Sequence, residues 1–475
     1  MPVRRPRRHL TAALSCTALL LTGCGSGGGG DDDAKLPPAP PASGKPADEP
    51  DPADFNGDGY DDYMSLLEPH SKDKEKGTST LVVVYGSAKG LRPETVTRIS
   101  AGSTNYAWFG DLSRTDLDGD GFTDLVGTRG ADQTGTPFVA YGGARGLGKP
   151  AALPGLPKGF LPLAAGDFDG DGSTDLIDGG RGGSGDPDEL PGHRGGRLLS
   201  GPIERSGKFA REAELDLGQH GYASPQTATT GDFDADGRTD VIFTYSYDAE
   251  EDESAPDDLR SVAHYRGSPE GLVDGGTTTP DLEALLGTQD GPRTPHTGDM
   301  DGDGIDDLLA SGSGAHLNTS RITVVYGAKS GLGKGKAAKE LAEKGTYWGV
   351  GPRAGDVNGD KVPDLVTGRE GFHLIDTDRI ILIPGGSQGP DRNREQEIYG
   401  DDPGIESKIP LKSEFGVSDL LDVNGDGKQD VIAYSEYDYK GRGAFLVLPG
   451  SADGLDVKHA HRFTPEDLGV QLRLK

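Results

Sequence analysis

The chain has 475 residues, with 78 acidic against 48 basic side chains and a formal net charge of −30. So acidic a surface repels phosphate backbones, which excludes nucleic acid as an expected partner. With 77 glycines, 33 prolines and 33% hydrophobic residues, the chain also leaves little room for long helices and suits many short strands and turns.

Residues 1–23 predict a signal peptide. Four arginines precede an apolar run from Leu10 to Leu21, and Thr-Gly-Cys24 follows the run. A basic start, a short apolar run and small residues before a cut site are typical of export signals, and the run is too short to remain as a membrane-spanning helix. Leu-Thr-Gly-Cys resembles the bacterial lipobox, which implies that Cys24 is lipidated and becomes the first residue of the mature protein.

Residues 24–53 predict a disordered linker, because they contain mostly Gly, Pro, Asp, Ala and Ser and have almost nothing to bury. The domain behind the linker cannot be stabilised by disulfides, since Cys16 and Cys24 are the only cysteines. We expect an exported protein that is attached to the outer face of the cytoplasmic membrane, at the cell surface, through its N-terminal lipid alone.

A nine-residue acidic pattern recurs seven times in the rest of the chain. Positions 1, 3 and 5 hold only Asp or Asn, position 9 is always Asp, and position 6 is glycine except for Lys361 in the sixth copy. Repetition at a period of this size predicts one structural unit per copy. The copies begin at Asp54, Asp116, Asp167, Asp232, Asp299, Asp356 and Asp422.

The spacing of oxygen-bearing side chains in this pattern predicts up to seven calcium sites. Calcium takes roughly six to eight oxygen ligands, and a tight loop can turn positions 1, 3 and 5 inward while position 7 adds a backbone carbonyl and position 9 a carboxylate. The predicted ligands are Asp54, Asn56, Asp58, Tyr60 and Asp62; Asp116, Asp118, Asp120, Phe122 and Asp124; Asp167, Asp169, Asp171, Ser173 and Asp175; Asp232, Asp234, Asp236, Arg238 and Asp240; Asp299, Asp301, Asp303, Ile305 and Asp307; Asp356, Asn358, Asp360, Val362 and Asp364; and Asp422, Asn424, Asp426, Lys428 and Asp430.

Two other interpretations of the acidic pattern fit the residues less well. An EF-hand needs a helix on each side and a glutamate at position 12, but position 12 is never glutamate here, and a short β-type run such as Asp240-Val-Ile-Phe follows each loop. Solvated acidic turns would mix glutamate into positions 1, 3 and 5 and would not keep the spacing.

A second motif follows each loop, and consists of an apolar strand, a glycine turn and Gly-Leu, as in Tyr85-Gly86 followed by Gly90-Leu91. The third copy lacks a clear Gly-Leu turn. Together the two motifs resemble the FG-GAP and VCBS repeat family, whose fold is the propeller of integrin α-subunit heads. The resemblance covers about residues 50–475 and implies an all-β, seven-bladed β-propeller over residues 54–475, with four strands per blade and a calcium loop between the first two.

The two chain ends are expected to meet in the first blade. The first loop follows a proline-rich stretch that makes a poor strand, so blade 1 lacks a first strand of its own. Residues 468–474 align with the strand before the seventh loop, and Val470, Leu472 and Leu474 alternate as in a strand with one buried side. We therefore expect residues 468–474 to pair beside the strand that starts near Asp62.

Four aromatic residues are candidates for contact with a ligand, with packing between blades as the alternative. Trp108 and Trp348 both lie eight residues before the first Asp of their loop, with Tyr106 and Tyr347 close by. The Gly-x-Ser-x-Gly sequence at 385–389 matches a nucleophile elbow, but it aligns with the glycine turns of the other copies, so we expect an ordinary turn.

These patterns predict a non-catalytic binding or adhesion protein, whose ligand is a protein or a carbohydrate on the face opposite the calcium loops. That face carries the loops between second and third strands, which vary most in length and chemistry. The alternatives are a structural scaffold of a cell-surface complex, and a hydrolase or lyase that acts on polysaccharide. No catalytic residue is predicted, His296 is expected at the surface, and we expect a monomer.

Overall fold

The computed structural model describes residues 51–69, 77–102, 106–131, 135–157, 159–180, 196–217, 224–246, 259–275, 282, 295–313, 319–344, 346–348, 352–371, 379–400, 402–405, 416–435 and 443–472. The expected signal peptide, Cys24 and the linker up to residue 50 lie outside this part of the chain. Within it, no helix has the length and hydropathy needed to cross a membrane.

The described residues fold as an all-β, seven-bladed propeller with almost no helix. The strands are Tyr63–Leu67 (β1), Thr80–Val84 (β3) and Val96–Ser100 (β4) in blade 1; Gly77–Thr78 (β2), Tyr106–Thr115 (β5), Asp124–Gly130 (β6) and Thr136–Ala140 (β7) in blade 2; Pro162–Gly166 (β8), Asp175–Asp178 (β9), Gly196–Ser200 (β10) and Arg211–Leu215 (β11) in blade 3; Ser224–Gly231 (β12), Asp240–Ser246 (β13), Val262–Ser268 (β14) and Gly271–Asp274 (β15) in blade 4; His296–Gly298 (β16), Asp307–Ser313 (β17), Thr319–Val325 (β18) and Lys339–Lys344 (β19) in blade 5; Thr346–Trp348 (β20), Arg353–Gly355 (β21), Asp364–Gly371 (β22), Arg379–Ile383 (β23) and Gln396–Tyr399 (β24) in blade 6; and Gly416–Leu421 (β25), Asp430–Ser435 (β26), Ala444–Leu448 (β27), Gly450–Ser451 (β28), Gly454–Leu455 (β29) and His461–Phe463 (β30) in blade 7. The strands of each blade pair antiparallel, except that the short strand β2 adds to β5 in parallel in blade 2. The acidic loops directly precede β1, β6, β9, β13, β17, β22 and β26, one in each blade.

The middle strands of the blades are buried on both faces. All five residues of β27 are buried, and so are the last four of β3. Successive side chains of a strand point to opposite faces of the sheet, so continuous burial means that both faces are covered. This is why these strands have continuous apolar sequences instead of alternating ones.

Seven hydrophobic clusters, one between each pair of adjacent blades, form the core of the described structure. Between blades 1 and 2, for example, Phe55 packs in one cluster with Phe138. Between blades 7 and 1, the rings of Phe445 and Tyr63 meet edge to face, with their centroids 5.7 Å apart. Because this last cluster joins the final blade to the first, the ring is closed.

The C-terminus takes part in ring closure, but the expected strand is wrong for the described residues 468–472. Leu468, Val470 and Leu472 are buried in the cluster between blades 7 and 1, yet none of them belongs to a strand, and β1 pairs with β3 alone. The backbone nitrogens of Leu468 and Val470 are used within a turn, in which Val470 N donates to Pro465 O at 2.8 Å. Backbone that bonds itself in a turn cannot also pair along β1.

The two repeats that depart most from the sequence pattern still form complete blades. The third repeat makes a four-stranded sheet of β8 to β11 although it lacks a clear Gly-Leu turn, and the sixth pairs β22 with both β20 and β21 on its inner side. Blade 2, by contrast, has no outer strand beside β7 among the described residues; a single β-bridge between Val139 and Ala151 lies there.

Candidate metal loops

Each acidic loop is folded around the carboxylate at its position 1. In blade 2, Asp116 Oδ1 accepts hydrogen bonds from the backbone nitrogens of Gly119 (2.9 Å) and Asp120 (3.2 Å), and Oδ2 accepts one from Gly121 N (2.9 Å). All three donors lie within five residues of the acceptor, so the local sequence alone can specify this turn. The same three bonds are accepted by Asp54, Asp167, Asp299 and Asp356.

Position 7 is held in the loop by its backbone nitrogen. Phe122 N, for example, donates to Asp120 Oδ1 at 3.1 Å. The carboxylate at position 5 accepts the equivalent bond in the other six loops, from Tyr60, Ser173, Arg238, Ile305, Val362 and Lys428.

Carboxylate oxygens converge inside several of the loops. In blades 2, 3, 4 and 5, three of them lie within 4.8 Å of one another. These groups are Asp116, Asp118 and Asp124; Asp167, Asp169 and Asp175; Asp232, Asp234 and Asp236; and Asp299, Asp301 and Asp303.

The position 3 carboxylates provide the test of whether a cation fits. Oδ1 of Asp118, of Asp234 and of Asp301 is buried and accepts no hydrogen bond in the described structure. A buried carboxylate oxygen without a donor is destabilising unless a cation lies beside it. The donor set is all oxygen, which is what a hard cation such as calcium requires, so the residues present fit a bound calcium ion.

The position 9 carboxylate links the loop to the glycine turn that ends the third strand. Asp124 Oδ2 accepts from Leu117 N (3.1 Å), and Oδ1 accepts from Gly142 N (2.7 Å). Each oxygen keeps a further lone pair for a metal. These two hydrogen bonds to the backbone connect the acidic loop with the glycine turn, which explains why the two sequence motifs occur together. The equivalent carboxylates are Asp62, Asp175, Asp240, Asp307, Asp364 and Asp430.

The glycine that binds position 9 has no room for a side chain. A Cβ on Gly142 would lie 2.2 Å from Thr123 O, the carbonyl at position 8 of the same blade. The turn therefore requires glycine because of a close backbone contact, and its φ is not in the left-handed region.

Burial raises the pKa of the position 9 carboxyls. The neighbouring loop carboxylates raise it further, whereas the two backbone N–H bonds lower it. A divalent cation in the loop would favour the ionised form. The pKa is raised to about 7 at Asp124, Asp240, Asp307 and Asp430, to about 6 at Asp175 and Asp364, and well above its usual range at Asp62.

Two loops hold residues other than glycine in the left-handed region. Lys361, at position 6 of the sixth loop, has φ +69°, and Ala235, at position 4 of the fourth, has φ +54°. Lys361 N still donates to Asp356 Oδ2 at 2.8 Å, as the glycines do, so the loop keeps its shape with a strained backbone. The sequence pattern identified Lys361, but Ala235 was missed.

Basic side chains contact the position 3 carboxylates of three loops. Lys336 Nζ lies 3.1 Å from Asp301 Oδ2 and 4.0 Å from the centre of the Tyr326 ring. Arg205, from the next blade, pairs with both Asp118 and Asp120. The sequence pattern does not reveal the contact between Asp118 and Arg205, because these partners are 87 residues apart in the chain. Arg266 makes the third contact, to Asp234 at 3.4 Å.

Position 8 joins neighbouring blades. Thr239 N donates to Asp167 O (2.8 Å), and Thr239 Oγ1 accepts from Asp167 N (3.1 Å). Asp306 and Asp232 repeat the exchange in the next pair of blades, at 3.3 and 2.9 Å. In the sixth loop position 8 is Pro363, which has no N–H to donate.

The other candidate residues lie away from these loops. Tyr106 and Trp108 belong to β5, and Tyr347 and Trp348 to β20, while their side chains lie outside the described structure. Trp108 pairs with Gly130, at the end of the hairpin away from the loop.

Of the predictions for the segment 385–389 and for His296, the first is confirmed and the second is wrong. The segment 385–389 is a turn between β23 and β24, as expected, and Gly385 N donates to Asp364 Oδ1 at 2.8 Å. His296, expected to be isolated at the surface, is half-buried, and Arg353 donates a hydrogen bond to its ring. The first strands of adjacent blades pack together, which brings these two side chains into contact.

Comparison with known proteins identifies the repeats. The family described as FG-GAP-like repeat matches residues 116–177 and 299–367. Integrin alpha pat-2 of Caenorhabditis briggsae is 27% identical over 191 residues, which are 36% of this chain and 15% of that protein. The chain thus contains FG-GAP-like repeats, as its sequence motifs predicted, and the match spans a small part of its integrin relative.

Among solved structures, the Dos1 propeller is similar to this chain. The TM-score is 0.38 at 10% sequence identity, and the alignment covers 83% of this chain and 84% of that one.

Proposed function

We propose that this chain is a calcium-stabilised, non-catalytic binding propeller, which Cys24 anchors by a lipid to the outer face of the cytoplasmic membrane. The observation that carries the metal assignment is the donor-free oxygen at position 3. Asp234 is only 8% exposed, and its Oδ1 has no hydrogen-bond donor, while carboxylates of Asp232 and Asp236 lie beside it. FG-GAP-like repeats and an integrin α relative support a binding or adhesion role.

Calcium suits these loops better than magnesium does. Magnesium requires a nearly octahedral shell and gives up its waters reluctantly, whereas calcium accepts irregular sets of carboxylate and carbonyl oxygens. We expect affinities on the order of 0.1–1 mM, as in other extracellular calcium modules. A ligand that binds only the folded state stabilises it, so calcium acts as a folding ligand here.

The melting temperature in chelator, in calcium and in magnesium tests the metal assignment. Calcium should raise the melting temperature, and magnesium should raise it much less. Asp234→Asn and Asp301→Asn should reduce the gain, whereas Asp453→Asn, at an exposed position outside the loops, should retain it. Equal melting temperatures in chelator and in calcium would reject the proposal.

The ligand face is proposed to be the one away from the metal loops. On the metal face, turn nitrogens and loop carbonyls are engaged between blades, as in the bond from Ala328 N to Phe233 O (3.0 Å). The backbone position of Trp108, at the far end of its hairpin, is consistent with an aromatic contact on the other face. Of the variable loop stretches 70–76, 179–197 and 248–258, the first and the last lie outside the described residues, and so does the part 181–195 of the second.

Glycan and protein arrays probed with the calcium-loaded propeller test the ligand assignment. Trp108→Ala and Trp348→Ala should weaken binding, while Arg145→Ala, on an exposed metal-face turn, should not. Binding that is lost only in the metal-face variant would reverse the assignment.

Separately, Cys24→Ala should release the protein from the membrane fraction if the lipid is its anchor.

A further inference from the structure

The seven acidic loops differ at position 3, which is Asp in blades 2 to 5 and Asn in blades 6, 7 and 1. We call them the Asp loops and the Asn loops, and their position 3 residues are Asp118, Asp169, Asp234 and Asp301, and Asn358, Asn424 and Asn56. All four groups of converging carboxylate oxygens in the described structure lie in the Asp loops. The Asp at position 3 is a member of every one of these groups.

In the Asn loops of blades 6 and 7, the amide at position 3 is bonded to the carboxylate at position 9. Asn358 Nδ2 donates to both oxygens of Asp364, at 3.2 Å each, while Asn358 Oδ1 accepts from Asp360 N at 2.9 Å. Asn424 Nδ2 likewise donates to both oxygens of Asp430, at 3.3 and 3.1 Å. The amide therefore uses both its donor and its acceptor inside the loop.

This amide faces the lone pairs that a metal would need. A carboxylate has about four lone-pair sites, two on each oxygen. In blade 6, two backbone nitrogens fill one site on each oxygen of Asp364, and Asn358 Nδ2 faces the remaining sites. In blade 5, the same two backbone bonds reach Asp307, but the side chain at position 3 is the carboxylate of Asp301 instead of an amide donor. The position 9 carboxylate is thus open to a cation in blade 5 and closed by the amide in blade 6.

Position 3 shows the same contrast between the two kinds of loop. In blades 2, 4 and 5, the buried Oδ1 of the Asp has no donor in the described structure, although Oδ2 is paired with a basic side chain. In blades 6 and 7, Oδ1 of Asn358 and of Asn424 accepts from the backbone nitrogen at position 5. A buried oxygen is therefore left for a cation in these three Asp loops, whereas in the two Asn loops it is already bonded.

Calcium would have to break the amide bonds to enter the loops of blades 6 and 7. Losing a hydrogen bond to a charged group weakens binding by about one to two orders of magnitude. An open extracellular calcium loop binds at about 0.1–1 mM. The sites in blades 6 and 7 would then need calcium on the order of 1–100 mM.

We propose that calcium binds in the Asp loops of blades 2 to 5, while the loops of blades 6 and 7 fold without a metal, because the Asn amide takes the place of the cation beside position 9. This inference rests on the proposed calcium binding and assigns that binding to particular blades. The first loop is not included, since Asn56 Nδ2 is buried and has no acceptor in the described structure. Withdrawal of calcium should therefore leave the loops of two neighbouring blades, 6 and 7, intact.

Calorimetric calcium titration and melting curves of two matched variants test this assignment. Asp303 and Asp426 both hold position 5, are both exposed, and accept from the nitrogen at position 7 at 3.0 and 3.1 Å, a bond that an Asn can keep. Asp303→Asn should remove one bound calcium ion and reduce the calcium-induced rise in melting temperature, whereas Asp426→Asn should change neither. If Asp426→Asn also loses an ion, or Asp303→Asn loses none, the inference is overturned while calcium binding itself stands. A wild type that binds no calcium would reject both.

Replacing the amide provides a second test, which adds a metal ligand instead of removing one. Asn424→Asp places a carboxylate beside Asp430, so it should lower the melting temperature in chelator and add one bound calcium ion in the titration. Asn393→Asp is the control, because Asn393 Nδ2 also donates to an aspartate, Asp391 Oδ1 at 3.0 Å, but outside the loops. This control should add no ion. An unchanged number of bound ions in a folded Asn424→Asp would overturn the inference.

Discussion

Asp61 and Asp422, 361 residues apart in the chain, bind each other twice where the ring closes. Asp61 N donates to Asp422 O (3.1 Å), and Asp422 N donates to Asp61 Oδ2 (2.7 Å). Thr239 and Asp167 make the same exchange between blades 4 and 3. Blades 7 and 1 are therefore joined as consecutive blades are, and ring closure does not need a strand from the C-terminus.

This exchange predicts which residues are tolerated at position 8. Asp61→Ala leaves Asp422 N without its acceptor and should lower the free energy of unfolding by about 1–3 kcal/mol. Asp61→Thr should be close to wild type, because Thr239 Oγ1 accepts the equivalent bond in blade 4. Denaturant unfolding in calcium measures both variants. If Asp61→Ala and Asp61→Thr were equally stable, the hydrogen bond from Asp422 N to the side chain of residue 61 would have no role in ring closure.

The glycine turn predicts a steric effect that is specific to one position. Gly142→Ala places a Cβ 2.2 Å from Thr123 O, so the turn must shift and weaken the bond to Asp124. We expect a loss of at least about 2 kcal/mol in the free energy of unfolding. Gly143→Ala is the matched control, since a Cβ there would meet nothing within 4 Å. Comparable losses in the two variants would contradict the steric explanation.

Backbone strain in the sixth loop predicts that a glycine there is stabilising. Lys361→Gly removes a Cβ from a residue with φ +69° and should raise the free energy of unfolding by about 1 kcal/mol. Lys361→Ala removes the charge but keeps the Cβ, so it separates strain from electrostatics. Thermal melting with and without calcium measures both. A gain that is the same in Lys361→Ala would assign the effect to charge.

The ion pairs of Arg205 predict competition with calcium in the second loop. A guanidinium that pairs with Asp118 and Asp120 must be displaced or shifted when calcium binds, so Arg205→Gln should increase the affinity of that loop by up to about fivefold. Lys208→Gln, on the same exposed turn, is the control. Calcium titration at low and at moderate salt measures the effect, and unchanged affinity in Arg205→Gln would refute competition.

The buried His264 predicts a loss of stability in mild acid. Its ring lies against Phe233, with centroids 6.0 Å apart, and burial lowers its pKa from 6.5 to about 4. The unfolded chain then binds the proton more readily, so stability is complete above pH 6.5 and falls as the pH is lowered towards 4. The expected loss is up to about 3 kcal/mol.

The matched variant for this prediction is His264→Phe, which cannot be protonated. The difference in unfolding free energy between wild type and variant should grow as the pH falls from 7 to 4. Comparing the two proteins at each pH cancels the contributions of the many loop carboxylates. A constant difference across that range would show that His264 does not sense the pH.

The sequence by itself determined the architecture and the form of each loop. Position 1 binds nitrogens within five residues of it, as Asp116 does with Gly119, Asp120 and Gly121, so the turn is encoded in one short stretch. Sevenfold repetition then determined the number of blades, because each repeat needs neighbours on both sides to bury its strands.

Only the tertiary structure decided how the blades are joined and which side chains meet between them. Gly142 binds a carboxylate 18 residues earlier, Asp422 meets Asp61 across 361 residues, and Arg114 faces Asp419 from another blade. The C-terminal segment has the alternation of a strand, but Val470 N bonds within its own turn. A sequence pattern specifies which backbone groups are available locally, whereas their partners in other blades are selected by packing once the ring has formed.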